Sequence, residues 1–72
     1  MTEAGHRVLQ VLADGQPRTV QELATATGRC QRLTRATTQG CVVAGLCEIV
    51  ADAVPLAVRI TDEGLAVLSE GA

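Results

Sequence analysis

Apolar residues recur at helical spacing over residues 3–13, where Ala4, Val8, Leu9, Val11 and Leu12 fall together. Asp14-Gly15-Gln16-Pro17 ends this first helix, because Gly and Pro both favour a turn. Thr19-Val20-Gln21-Glu22 has the form of a capping box: the Thr19 hydroxyl accepts from the Glu22 amide and the Glu22 carboxylate reaches back. A short second helix therefore starts near Val20, turns Val20, Leu23 and Ala24 inward, and ends at Thr27-Gly28 with Gly28 as its terminating residue. A third helix is predicted from Cys30 to Ala44, stopped by Gly45. At about 100° per residue, Cys30, Leu33, Thr37, Cys41 and Ala44 share its inner face, joined by Gly40, which would permit close helix contact. The opposite arc holds Gln31, Arg32, Arg35, Thr38 and Gln39, with Val42 beyond them.

The period then changes from that of a helix to that of a strand. Leu46-Cys47-Glu48-Ile49-Val50 and Leu56-Ala57-Val58-Arg59-Ile60 read as two strands, the second with Leu56, Val58 and Ile60 alternating inward. Ala51-Asp52-Ala53-Val54-Pro55 is the hairpin tip between them. Thr61 caps a last helix whose first turn carries Asp62 and Glu63, where the helix dipole favours acids, and whose apolar side is Leu65, Val67 and Leu68. Gly71-Ala72 should fray. The fold class is mainly α with a small β-hairpin, in the order α-α-α-β-β-α, and Arg18-Thr19 could pair with the hairpin as a short third strand.

With 72 residues the chain forms one domain, residues 1–72. A chain of this size hides only about 60% of the surface its unfolded form exposes. It contains no Phe, Trp or Tyr, so the core must be assembled from Leu, Val, Ile, Ala and Cys. A thin core of this kind predicts help from a partner subunit, and a homodimer is expected through the first and last helices, using Leu9, Leu65 and Leu68 where exposed. The net charge of −2 is no nucleic-acid signature, but its distribution is uneven. Every basic side chain is Arg, and Arg29, Arg32 and Arg35 lie in a stretch from Thr25 to Cys47 that contains no Asp or Glu. The N-terminal residues lack a signal peptide's apolar run. No segment approaches the roughly 20 apolar residues that span a bilayer. A cytoplasmic protein without membrane contact is expected.

Three segments in this order resemble bacterial winged helix-turn-helix regulators of the MarR/ArsR type. Residues 8–15 followed by 19–28 resemble the first two helices. Ala44-Gly45-Leu46-Cys47-Glu48-Ile49-Val50 resembles the exit from a recognition helix into the wing, and Arg59-Ile60-Thr61-Asp62-Glu63-Gly64-Leu65 resembles the T-x-x-G segment that follows it. The resemblance implies a winged helix-turn-helix that binds double-stranded DNA sequence-specifically as a small transcriptional regulator or repressor, with helix 30–44 in the major groove. Two departures stand out. The chain is about half the length typical of MarR-type proteins, and its wing tip has no basic residue.

On that reading Gln31, Arg32 and Arg35 are the base-reading candidates, since Arg suits guanine O6 and N7 and Gln suits adenine N6 and N7. Thr38 and Gln39, a turn later, could reach bases or phosphate. Arg29, Arg18 and Thr19, near helix starts, suit phosphate. The alternative is a winged-helix module or small phage-type inhibitor that binds protein instead of DNA, favoured by the net acidity and the unarmed wing. No cofactor, metal or catalytic site is expected: Cys30, Cys41 and Cys47 match no zinc spacing, their odd number excludes a complete disulfide set, and His6 reads as a surface residue.

Overall fold

A computed structural model describes residues 2–50, 52 and 54–70. The elements are α1 (Glu3–Val11), β1 (Arg18–Thr19), α2 (Val20–Thr27), α3 (Gln31–Val43), β2 (Cys47–Val50), β3 (Ala57–Ile60) and α4 (Asp62–Glu70). The order matches the expected winged helix, and the short third strand is present. The sheet runs β1-β3-β2, antiparallel throughout. Arg18 and Thr19 pair with Val58 and Ala57, while Cys47–Val50 pair with Ile60–Ala57. α1 stops at Val11, two residues short of expectation, with Leu12 as its cap. Ala51 and Ala53 of the expected hairpin tip, and the expected fraying at Gly71-Ala72, lie outside the described residues.

Local chemistry explains the element ends. Thr2 caps α1 by accepting from the Gly5 amide at 3.1 Å. Thr19 and Glu22 form the full capping box of α2, with bonds of 3.1 and 2.9 Å. Gly28 ends α2 at φ 71°. Gly45 ends α3 at φ 80°; its amide reaches Val42 O, and the Leu46 amide reaches Cys41 O at 2.9 Å. This paired Schellman arrangement satisfies the last carbonyls of α3 and turns the chain into β2.

Val8, Leu9, Leu12, Leu23, Cys41, Cys47, Val58 and Ile60 form the core, with Val11, Val42, Leu46, Val67 and Leu68 packed around it. Leu9 is wholly buried and so is unavailable to a second subunit, contrary to expectation, whereas Leu65 stays exposed. The buried stripe of α3 is Thr34, Thr38 and Cys41. It is displaced around the helix from the expected one: Cys30 and Ala44 are exposed, Leu33 is 45% exposed and Thr37 half-buried. Threonine can serve here because its hydroxyl is satisfied locally. Thr34 donates to Cys30 O at 2.9 Å and Thr38 to Thr34 O at 2.7 Å, which leaves only methyl groups to pack. Gly40 faces open space, with nothing within 4 Å of a Cβ built there, so it permits no close contact.

The wing is tied at its base. Thr61 donates its amide to Leu46 O at 3.1 Å and its hydroxyl to Gly45 O at 2.7 Å, and the same hydroxyl accepts from the Gly64 amide at 3.2 Å. Gly64 packs so tightly that a Cβ would overlap the Leu46 carbonyl oxygen and lie 2.7 Å from Ile60 Cγ1. Gly64→Ala should therefore destabilise the fold by about 1–3 kcal/mol, whereas Gly40→Ala should stabilise it by about 0.5–1 kcal/mol; urea unfolding of the two variants checks both signs.

Two carboxyls are held below their ordinary values, Asp14 chiefly by the Gln16 amide and Glu22 chiefly by the Thr19 amide. Depressed carboxyls stabilise the fold above the ordinary carboxylate range, and this stabilisation is lost as pH falls through their lowered values. Glu22→Gln should accordingly flatten the acid limb of the stability profile while leaving its slope near neutral pH unchanged.

Candidate nucleic-acid interface

α3 packs one side against α1, α2 and β2 and leaves the other to solvent. Its 13 residues span about 20 Å at 1.5 Å per residue. Gln31, Arg32, Arg35 and Gln39 are exposed on the outer side, as expected, and Arg29 is exposed just before the helix. Thr38 is not with them. It is 3% exposed and its hydroxyl is bonded within the helix, so it supports the helix and offers nothing to a base or phosphate.

The arginines divide into two groups. Arg7 bonds Glu3 at 3.1 Å, Arg18 bonds Asp14 at 3.0 Å, and Arg59 reaches Glu48 Oε1 with Nε at 3.0 Å and a terminal nitrogen at 2.5 Å across the β2–β3 register. Exposed pairs of this kind add roughly 0–1 kcal/mol, and their main effect is to neutralise cations. Arg29, Arg32 and Arg35 have no carboxylate partner among the described residues, and all three belong to the start and outer face of α3.

The remaining candidates are placed less openly. Arg18 is half-buried and turned toward Asp14, with its Nε enclosed and unbonded among the described residues. The Thr19 hydroxyl and the Glu22 amide are bonded to each other, and the Thr19 amide is held by the Glu22 carboxylate. The N-terminus of α2 is thus largely satisfied from within and carries an acid. At α3 the opposite holds: Cys30 occupies the cap position without a side-chain hydrogen bond, and the first turn has no acid.

One feature of this face was not read from the sequence. A groove of about 710 Å³ lies between α3 and the wing. Its lining has a polar part, the wall, that includes Arg35 and Gln39, and an apolar part, the floor, that includes Val42, Val43, Ile49 and Leu56. Leu56 was expected to point into the core with Val58 and Ile60; it lies beyond the end of β3 and is 62% exposed. Both wing strands alternate, interrupted by Glu48 and Arg59, so the sequence shows one apolar face but carries no signal for how far that face extends past the core.

The chain has the winged-helix fold of the MarR-family transcriptional regulators. Over 97% of its length it matches a MarR family protein from Bacillus stearothermophilus with a TM-score of 0.88 at 23% identity, covering 50% of that chain. A MarR family transcriptional regulator from Silicibacter pomeroyi DSS-3 matches over the same share with a TM-score of 0.87 at 27% identity, covering 51% of that chain. BpsR of Bordetella bronchiseptica, whose DNA binding is regulated by 6-hydroxynicotinic acid, matches with a TM-score of 0.86 at 22% identity and 51% of its length. The chain thus spans about half the length of these structures. No protein-family profile matches the sequence, and no curated protein is similar to it.

Among the described residues no cluster of three or more His, Cys, Asp or Glu side chains could hold a metal. Cys41 and Cys47 are buried as free thiols between α3 and β2, and the hydrogen bond to Cys41, followed by burial, pushes the Cys47 thiol up. Cys30 is exposed, contrary to the expectation that it packs inward. A thiol reagent should therefore modify Cys30 rapidly in the folded protein and the other two only after denaturant is added; rapid reaction of all three before unfolding contradicts this placement.

Proposed function

We propose that this chain is a sequence-specific, double-stranded DNA-binding domain of a cytoplasmic transcriptional regulator and acts as a repressor, with α3 in the major groove. The carrying observation is that the arginines without carboxylate partners are those of the start and outer face of α3. The B-DNA major groove admits an α-helix, and recognition helices read base edges with residues near their N-terminus. Gln31, Arg32 and Arg35 stand in those positions. Gln39 lies a turn further on, and Arg29 is placed for phosphate. Arg18 and Thr19 serve as phosphate contacts only if Arg18 releases Asp14. The winged-helix fold, found in MarR-family regulators, supports the reading, and nothing in the site points to catalysis. None of the described helices is long and apolar enough to cross a membrane.

A homodimer accords with the thin core, the exposed Leu65 on α4 and the modest affinity expected of one acidic domain. Two copies would read half-sites one helical turn apart.

Duplexes selected from a random pool at stated salt should share a defined sequence. Arg32→Ala and Arg35→Ala should each weaken binding to it by roughly 1–3 kcal/mol and relax specificity at one position, while Arg29→Ala should weaken all duplexes alike and reduce the salt dependence. Unchanged affinity in the Arg32→Ala, Arg35→Ala double variant sinks the assignment of α3. Sedimentation showing only monomer at tens of micromolar sinks the dimer.

A further inference from the structure

The groove between α3 and the wing has a chemistry that DNA does not use in full. Its floor continues the core outward, from the half-buried Val20 and Val42 to Val43, Ile49 and Leu56, which are 82%, 53% and 62% exposed. Large side chains exposed side by side along a groove form a surface that a partner with apolar groups can cover. None of the residues lining the groove is acidic, and Arg35 stands in its wall. Arg32 and Arg29, outside the lining, also have no carboxylate partner among the described residues, and Gln21, Gln31 and Gln39 add amide groups to the lining.

Two requirements follow for an occupant: apolar groups to cover the floor and negative charge to meet the wall. A phosphodiester backbone supplies the charge and can bond the arginine and amides, but its oxygens gain no hydrogen bond from Val43, Ile49 or Leu56. A neutral apolar segment fills the floor and leaves the guanidinium groups unmatched. A polypeptide segment with apolar residues on one face and Asp or Glu flanking them satisfies both, in the manner of an amphipathic helix laid into a groove. We propose that this groove is a docking site for an acidic amphipathic segment of another protein, and that its occupation excludes DNA from α3. Docking itself does not depend on the DNA-binding reading; the exclusion does.

The probe is a random peptide library displayed on phage, selected on the immobilised full chain and counter-selected on an Ile49→Ser, Leu56→Ser variant. Both side chains are exposed, and circular dichroism verifies that the variant keeps its fold. The recovered peptides should carry Leu, Ile or Phe at helical spacing with flanking Asp and Glu. As synthetic peptides they should bind the wild type about tenfold or more tightly than either the double variant or Arg35→Glu. They should displace a selected duplex competitively, and amide shifts should map to Val43, Ile49 and Leu56. The double variant should bind that duplex as the wild type does.

Recovery of only basic or uncharged peptides, or of none that distinguish the wild type from the variant, overturns the docking site. Equal loss of duplex and peptide binding in the double variant assigns the apolar floor to DNA and also overturns it. Failure of every duplex to bind, with the peptide results intact, removes the DNA-binding reading and the exclusion while leaving the docking site standing.

Discussion

Two backbone carbonyls, those of Gly45 and Leu46, are where the end of α3, the base of the wing and the start of α4 meet. Thr61 takes both, and Gly64 lies against the second with no room for a methyl group. A core without aromatic rings leaves few large side chains to fix how elements cross, so orientation depends more on hydrogen bonds and close backbone contact. The direction in which α3 leaves the core, and hence the face it offers to solvent, is set by this junction together with the left-handed turn at Gly45.

The electrostatics follow from the same arrangement. Antiparallel pairing of β2 and β3 sets Glu48 opposite Arg59, and helical spacing sets Glu3 beside Arg7. Those cations are matched where they stand. The long acid-free segment that becomes α3 has no such partners among the described residues, so an acidic chain keeps a basic ridge there, beside an apolar trough. Charge on the ridge and oiliness in the trough are separate demands, so the proposed duplex and peptide would draw on different parts of one face.

The element order, the α2 capping box, the short β1 strand and the Gly45 stop were legible because each rests on local chemistry: a threonine three residues before a glutamate, or a glycine after an apolar run. The exact rotation of α3 was not. Ranking Leu33 above Thr34 and Thr38 as core residues follows from hydropathy, but a threonine bonded to the preceding turn behaves as a small apolar residue, and the buried stripe passes through both. That shift cost Thr38 its place among the outward residues and left Gln31, Arg32, Arg35 and Gln39 where they were expected. The groove was hidden for a different reason: alternation shows which face of a strand is apolar, but not how far the strand runs beyond the helix that covers it, and Leu56 lies past that limit.

Three of the four described helices begin under a threonine oxygen; α3 begins under Cys30, which supplies none. Its opening amides have no side-chain acceptor among the described residues, so backbone pairing carries more of its first turn than in the other helices. The way α3 starts therefore depends on one residue of its own first turn, Thr34, whose amide and hydroxyl both lead back to Cys30 O.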